Sequence, residues 1–346
     1  MQHINNFHKD YIAALRAEGN SVTVMARGEG ADIDIPFEKK LFSTKNTACR
    51  RRIRKIIKAE QYDAIILHTS LAAFHIRLAC PRRNRPRIVN VVHGYLFSKD
   101  INPLKAALLL LCERLMKSKT DAIITMNEAD YLTAEKYALT RGKIYRSLGM
   151  GACIREPITD SDNIRLEFFP EGSFVMTFVG ELSGRKNQKF LIKALKKIKE
   201  SIPTAVLCLV GEGSERDELT TLAASLGLSD SVIFTGARRD ACDFIRSSDL
   251  YVSASSIEGM PFNLIEALGA KQTVLASRIK GHEDLIEDGV DGYLYEFGNE
   301  DEFCKKVIEI YNGTRPNSDA VYNKYLKYEK TSVFAKTLSL FKESIE

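Results

Sequence analysis

Short apolar runs of strand length alternate with helix-length segments along nearly all of this 346-residue chain. Examples are the runs at 63–68, 121–125 and 205–210, whose central residues are continuously apolar rather than alternately apolar and polar. A strand that is apolar on both faces belongs in a parallel sheet that helices cover on both sides. The alternation therefore predicts an α/β fold built from doubly wound parallel sheets.

The pattern occurs twice, with a polar stretch at residues 155–162 that we interpret as a linker. Residues 1–156 are predicted to form one Rossmann-like domain and residues 163–330 a second, with the helix at about 331–346 crossing back to the first. A doubly wound domain normally opens with a buried strand, but only six mostly polar residues precede the first predicted helix. The first domain is therefore predicted to lack its opening strand. A misassigned start, a truncated chain or another segment in that position would each explain this.

Charge and cysteine content narrow the class of protein. The 50 Lys and Arg residues against 45 Asp and Glu give a net charge of +5, which does not call for a nucleic acid as partner. No apolar run reaches the roughly 18 residues of a membrane-spanning helix, and the polar N-terminus lacks the features of a secretory signal. Seven cysteines without a CxxC pair favour free thiols in a reducing compartment. A soluble, cytoplasmic protein is expected.

The most informative motif is SASSIEGMPFNLIEALG, which follows a predicted strand and enters a helix at about Pro261. Glu258 is expected in the loop before the helix. Glu266 would lie about five residues inside it, roughly 7.5 Å along the axis. Two carboxylates at this separation can hold different parts of one polyhydroxylated ligand while the helix N–H groups face an anion. A surface loop with incidental glutamates is the alternative interpretation.

A second motif, GELSGRKNQ, joins another predicted strand to its helix. Gly180 and Gly184 allow the backbone to approach a ligand, and Asn187 is predicted to cap the helix. Arg185 and Lys186 place two cations where a diphosphate would lie, although a solvated basic turn is the alternative. Both motifs follow strands of one predicted parallel sheet, at the carboxyl edge where such sheets bind ligands. Their convergence favours the functional interpretation.

Together with VGEG at 210–213 and FTG at 234–236, these motifs resemble the nucleotide-sugar-binding domain of family 4 glycosyltransferases. That family has the GT-B fold, in which two Rossmann-like domains face a cleft. The motifs occur in the family's order and spacing over residues 174–297. The first half resembles, more weakly, the acceptor domain of bacterial members that build polysaccharides and capsules. Three short motifs carry that match: HG at 93–94, ITMNEADY at 124–131 and GMG at 149–151.

The resemblance implies transfer of a sugar from a nucleoside-diphosphate sugar, expected to be a UDP-sugar, to a polysaccharide or lipid-linked saccharide acceptor. It also implies retention of anomeric configuration and neither a metal ion nor another cofactor. Arg185 and Lys186 would stabilise the leaving diphosphate. Glu258 would bind donor-sugar hydroxyls near the reacting carbon, and His93 would contact that sugar from the first domain.

The resemblance also assigns donor-binding positions. Glu266 would bind the ribose hydroxyls, and the backbone at Ala237 and Arg238 would face the base. The full set of implied donor-binding residues is Gly180, Gly184, Asn187, Gly211, Gly213, Ala237, Arg238, Gly259, Met260, Pro261, Phe262 and Glu266.

Several other polar residues are candidate ligands. The DxD pairs at 32–34 and 160–162 match a metal-binding pattern, but they lie in polar loops outside the expected site, so no metal role is predicted. His282 is predicted to be solvated. His3 and His8 flank the start of the first helix, where family members approach their ligands.

Three segments of the first domain could contact a membrane surface: the basic runs at 50–58 and 81–87 and the apolar segment 104–116. They fit either solvated and buried faces or peripheral attachment to anionic lipid at the inner face of the plasma membrane.

Two functional alternatives also remain. One is a nucleotide-sugar 2-epimerase on the same fold, which the spacing of Glu258 and Glu266 disfavours. The other is a truncated, inactive nucleotide-binding protein, which the missing strand supports.

Overall fold

The computed structural model describes residues 8–38, 43–95, 97 and 102–345. The chain divides into two compact units, one of Met1–Met150 with Val333–Glu346 and one of Gly151–Ser332. His3 and the predicted absence of an opening strand concern residues 1–7, which lie outside the described residues.

The first unit alternates strands and helices. Its elements in chain order are α1 (Lys9–Ala17), β1 (Met25–Ala26), β2 (Ile33–Asp34), α2 (Thr44–Glu60), β3 (Ala64–His68), α3 (Ser70–Ala79), β4 (Arg87–Val92), α4 (Pro103–Met116), β5 (Ala122–Thr125), α5 (Glu128–Lys136) and β6 (Lys143–Arg146). Strands β3, β4, β5 and β6 form a parallel sheet in that order, while β1 and β2 pair separately. The core of this sheet is the apolar centre of β4 and β5, where Ile88, Val89, Ile123 and Ile124 are fully buried.

Helix α3 and strand β6 were not expected from the sequence. Strand β6 is KIYR, in which only the two central residues are apolar, so it lacks the continuous apolar run of its neighbours. Helix α3 buries His75 and Arg77, two residue types that are normally exposed. The Arg77 guanidinium is satisfied by the Glu113 carboxylate of α4 at 2.8 and 2.9 Å, and this buried ion pair fixes α4 against α3.

The second unit is a six-stranded parallel sheet in the order β12-β11-β10-β7-β8-β9. Its elements are α6 (Ser161–Phe168), β7 (Phe174–Val179), α7 (Gln188–Ser201), β8 (Ala205–Val210), α8 (Arg216–Ser225), β9 (Val232–Gly236), α9 (Ala241–Arg246), β10 (Leu250–Ser253), α10 (Phe262–Gly269), β11 (Val274–Arg278), β12 (Tyr293–Glu296), α11 (Glu300–Tyr311) and α12 (Ser318–Tyr328). The chain runs outward from β7 to β9 and then returns to β10 beside β7. The order therefore reverses between β7 and β10, and doubly wound sheets bind ligands at such a point.

Two glycines allow the loops at this edge to pack backbone against backbone. A Cβ atom on Gly211, whose φ is +147°, would lie 1.9 Å from the carbonyl oxygen of Gly180. A Cβ on Gly213 would lie 2.1 Å from the carbonyl oxygen of Leu182. Both positions were predicted to bind the donor, and the structure gives them a packing requirement of their own.

The predicted linker is held on the second unit. The backbone N–H groups of Ile158 and Thr159 donate to the Asp243 carboxylate at 2.9 and 3.0 Å. Helix α13 (Lys330–Ile345) then enters the first unit, where the Arg87 side chain donates to the carbonyl oxygen of Ser344 at 2.8 Å. No helix in the described ranges is both long and apolar enough to cross a bilayer.

Candidate active site

The two sequence motifs meet at the point where the strand order reverses. Strands β7 and β10 are hydrogen-bonded neighbours, so the loops that follow them start side by side. The backbone N–H and the hydroxyl of Ser256 donate to the carbonyl oxygen of Arg185 at 2.9 and 3.2 Å. The Asn263 amide donates to the carbonyl oxygen of Val179. These contacts join the loops into one surface.

Glu258 lies between the two predicted cations. Its carboxylate is 3.0 Å from the Arg185 guanidinium and 2.6 Å from the Lys186 ammonium. Glu258 and Lys186 are each 8% exposed, whereas the Arg185 side chain is 44% exposed. Burial would raise the pKa of Glu258, but the charges of Lys186 and Arg185 outweigh it and hold that pKa below its ordinary value. The site therefore presents two fixed cations and one ionised carboxylate.

His282 is buried beneath this arrangement, so the prediction that it is solvated is wrong. Its Nδ1 lies 2.8 Å from the carbonyl oxygen of Ser277 and its Nε2 3.5 Å from the Ser253 hydroxyl. Burial lowers the pKa of His282 to about 4, so the ring is neutral at pH 7 and donates from Nδ1. The loop reaches this depth because Gly281 has no side chain. A Cβ there would lie 2.7 Å from the carbonyl oxygen of Gly259.

Asn187 does not cap helix α7 through its side chain, which corrects the prediction. Its backbone is left-handed, at φ 57° and ψ 40°, and its side chain makes no capping hydrogen bond. Gln188 shapes the turn instead. Its amide donates to the carbonyl oxygen of Glu181 at 2.8 Å and accepts from the backbone N–H of Ser183 at 3.3 Å.

Glu266 lies half-buried on α10, inside the same edge of the sheet. Within the described part of the chain its carboxylate has no hydrogen-bond or ion-pair partner. Burial raises the pKa of Glu266 to about 7, against the opposing charges of Arg155 and Arg246. A carboxylate of this kind can still accept hydrogen bonds from a ligand.

The remaining predicted donor-binding residues lie around this core. Gly259, Met260, Pro261 and Phe262 connect Glu258 to α10, and Pro261 occupies its N-cap position. The other positions are the loop glycine Gly184 after β7 and Ala237 and Arg238 after β9. The Arg238 guanidinium is already engaged, because it donates to both Asp240 carboxylate oxygens at 2.9 and 2.7 Å.

His93, the predicted catalytic residue of the first unit, directly follows β4. Its Nε2 is 3.1 Å from Nδ1 of His68, the last residue of β3. The sequence interpretation did not single out His68. The available signal is that histidine ends β3 and directly follows β4, but this signal is useful only once the pairing of β3 with β4 is known.

Three of the four aspartates in the two DxD pairs, Asp32, Asp34 and Asp160, are used in local structure. Asp32 accepts from the backbone N–H of Val24 at 2.7 Å, and Asp34 accepts from that of Gly28 at 2.9 Å. Asp160 is the N-cap of α6, where its side chain accepts from the backbone N–H of Asp162 at 2.8 Å. Local turns and a helix cap therefore account for these carboxylates.

Comparisons with known proteins agree with this architecture. Residues 160–327 match the family described as Glycosyl transferases group 1, and residues 5–145 match Glycosyltransferase Family 4. The protein EpsD of Bacillus subtilis (strain 168), whose name places it among the glycosyltransferases, is 31% identical over 324 residues. That alignment covers 90% of this chain and 85% of EpsD. The chain belongs to glycosyltransferase family 4.

This family 4 glycosyltransferase is also similar to an Escherichia coli protein named UDP-Gal:alpha-D-GlcNAc-diphosphoundecaprenol alpha-1,3-galactosyltransferase. The two are 27% identical over 264 residues, which cover 74% of this chain and 68% of the other. The crystal structure of Anabaena HepE in complex with UDP and glucose superposes with a TM-score of 0.69 and 22% identity. It covers 87% of this chain and 84% of HepE. The enzyme therefore has the GT-B fold, as the sequence predicted.

Proposed function

We propose that this glycosyltransferase moves a sugar from a UDP-sugar to a saccharide or lipid-linked saccharide acceptor, with retention of anomeric configuration and without a metal ion. The observation that carries the proposal is the pair of cations, Arg185 and Lys186, held by Glu258 where β7 and β10 meet. The HepE complex supports a UDP-sugar donor, and the name of the E. coli relative supports a lipid-linked acceptor. Retention follows the family resemblance.

The two cations supply the charge that a metal ion supplies in DxD-dependent enzymes. As the bond between sugar and diphosphate breaks, negative charge builds on the diphosphate. Lys186 is held by Glu258 and is almost entirely removed from water, so solvent screens its charge only weakly from a neighbouring phosphate. Arg185 is exposed and can bind phosphate oxygens with two N–H groups. Three of the four aspartates in the DxD pairs are already used in turns and a cap.

A donor panel tests the proposed reaction. We expect release of nucleoside diphosphate from a UDP-sugar, but not from GDP- or ADP-sugars, when wild-type protein is supplied with a lipid-linked saccharide acceptor. EDTA should leave the rate unchanged. Glu258→Ala should lower it about 100-fold, because Lys186 and Arg185 lose the group that positions them. Equal release by the variant, or loss of release in EDTA, would contradict the proposal.

Donor affinity should depend on pH through Glu266. The ribose hydroxyls would donate to its ionised carboxylate, and burial places the pKa of that carboxylate at about 7. Affinity for UDP-glucose, whose diphosphate does not titrate near neutrality, should therefore rise about tenfold from pH 6 to pH 8. Isothermal titration calorimetry with wild type and Glu266→Gln checks this, because the amide has no proton to lose. If the affinity of Glu266→Gln depends on pH as steeply as that of wild type, Glu266 does not bind the ribose.

Membrane attachment is a further part of the proposal. Leu104, Leu108, Leu111 and Leu115 are 82%, 47%, 52% and 62% exposed, and their spacing places them on one face of α4. We call these four residues the leucine stripe. Glu113, on the same helix, is buried against Arg77 of α3, so the helix is anchored by a different face. A row of exposed leucines on an anchored helix fits the acyl boundary of a bilayer.

Positive charge accompanies the leucine stripe. Lys119 is the last residue of the short 3-10 turn after α4, and it donates to the carbonyl oxygens of Arg77 and Cys80 at 2.8 and 2.7 Å. Burial lowers the pKa of Lys119, and the charges of Arg82 and Arg54 lower it further. Basic runs at 50–58 and 81–87 belong to the same unit as the leucine stripe, and cations together with an apolar stripe favour an anionic lipid surface, which is where a lipid-linked acceptor would be found.

A further inference from the structure

Three imidazole rings converge in the first unit, outside the cation site of the second. His8 lies at the N-terminus of α1, His68 ends β3 and His93 follows β4. One ring nitrogen from each lies within 4.8 Å of those of the other two. The ring centres of His8 and His68 are 3.9 Å apart, and those of His68 and His93 are 5.4 Å apart.

These distances approach those of a metal site with three histidines. Nitrogens that bind one tetrahedral Zn²⁺ at about 2.0–2.1 Å lie about 3.4 Å from each other. The His68 and His93 nitrogens are 3.1 Å apart, and small ring rotations would bring the His8 nitrogen into range. The proton in the hydrogen bond between His68 and His93 would move to the other nitrogen of its own ring. Both lone pairs would then face the ion.

We propose that His8, His68 and His93 bind a borderline transition-metal ion such as Zn²⁺, with the fourth position open to water. Imidazole is a preferred ligand of Zn²⁺, Co²⁺, Ni²⁺ and Cu²⁺, whereas Mg²⁺ and Ca²⁺ prefer oxygen. His8 is 4% exposed and both of the other rings are half-buried, so the side chains that would surround the ion are already ordered. The ion would join the start of α1 to the carboxyl ends of β3 and β4.

The proposed ion has a role opposite to that of a catalytic metal. If His93 contacts the donor sugar, an ion that binds its ring removes that contact, and Zn²⁺ then inhibits transfer. This consequence rests on the proposed function. Binding of the ion does not, because the three residues and their distances are independent of any donor.

Metal binding can be measured without the enzyme reaction. We expect wild-type protein to bind one Zn²⁺ in competition with a chromogenic chelator, and Co²⁺ to give the visible absorption of a four-coordinate site. His68→Gln should weaken Zn²⁺ binding by more than about tenfold. A double variant of the two cysteines that are not buried, Cys112→Ser with Cys153→Ser, should bind like wild type. Circular dichroism checks that His68→Gln is folded, and His8→Gln provides a second ligand variant.

Equal binding by wild type, His68→Gln and His8→Gln would overturn the proposal, as would Zn²⁺ binding that disappears with the two cysteines. Failure to bind Zn²⁺ at all would leave these rings as a hydrogen-bonded histidine cluster only. In that case release of nucleoside diphosphate in the donor panel would be unaffected, so the two proposals fail separately. Zn²⁺ that binds but does not slow the wild-type reaction would remove only the inhibitory consequence.

Discussion

Replacing Lys186 by methionine is expected to lower the rate of sugar transfer about 100- to 1,000-fold, the usual effect of removing one preorganised group that stabilises developing negative charge. Methionine keeps the apolar stem of the side chain and deletes the ammonium that lies 2.6 Å from Glu258. The donor would still bind through Arg185 and the loop backbone. Most of the loss should therefore appear in kcat, measured as nucleoside diphosphate release at saturating donor.

Lys189→Met is the matched control. Lys189 lies three residues further on, is exposed and pairs with Glu218 at 3.0 Å, so its replacement should leave the rate within about twofold of wild type. Because Lys186→Met leaves Glu258 buried with one cation fewer, its unfolding in urea is measured beside its rate. A variant that is still folded under the assay conditions shows that the lost rate is not lost stability. Equal rates for Lys186→Met and Lys189→Met would mean that the Lys186 ammonium does not contribute to the reaction.

Replacing Leu104 and Leu111 together by glutamine is expected to weaken binding to anionic vesicles about 100-fold. Each leucine that leaves water contributes about 1.5–3 kcal/mol, and 1.4 kcal/mol corresponds to a factor of ten. Both side chains are more than half exposed, at 82% and 52%, so the fold should tolerate the change. Co-sedimentation with phosphatidylglycerol vesicles, compared with phosphatidylcholine vesicles, measures the effect.

Two leucines elsewhere provide the control for this double variant. Leu132 on α5 is 53% exposed and Leu166 on α6 is 83% exposed, and neither belongs to the leucine stripe. Glutamine at both positions should leave vesicle binding unchanged. Equal loss in the two double variants, or wild-type binding that does not distinguish the two lipids, would mean that the leucine stripe does not dock on an anionic bilayer.

The sequence predicted the meeting of the two motifs because parallel strands end at a common edge, and the loops carrying Arg185 and Glu258 both follow such strands. It could not predict that Glu258 would bind both cations, since that depends on β7 and β10 being neighbours. The burial of His282 also depends on how distant segments pack, so the sequence could not predict it. Only the packing of the β11 loop against the backbone of Gly259 decides that this ring is buried. Strand β6 could not be predicted because its short apolar centre gives almost no periodic signal.

The ion pairs of Glu258 also bear on which anions the enzyme can admit. The Glu258 carboxylate already neutralises part of the charge on Arg185 and Lys186, so an anion that binds these two cations must compete with Glu258 for them. Chloride or a single phosphate interacts with the two cations little more strongly than Glu258 does. A diphosphate carries more charge and more acceptor atoms for the same two side chains. The ion pairs of Glu258 should therefore favour the binding of a diphosphate over that of small anions.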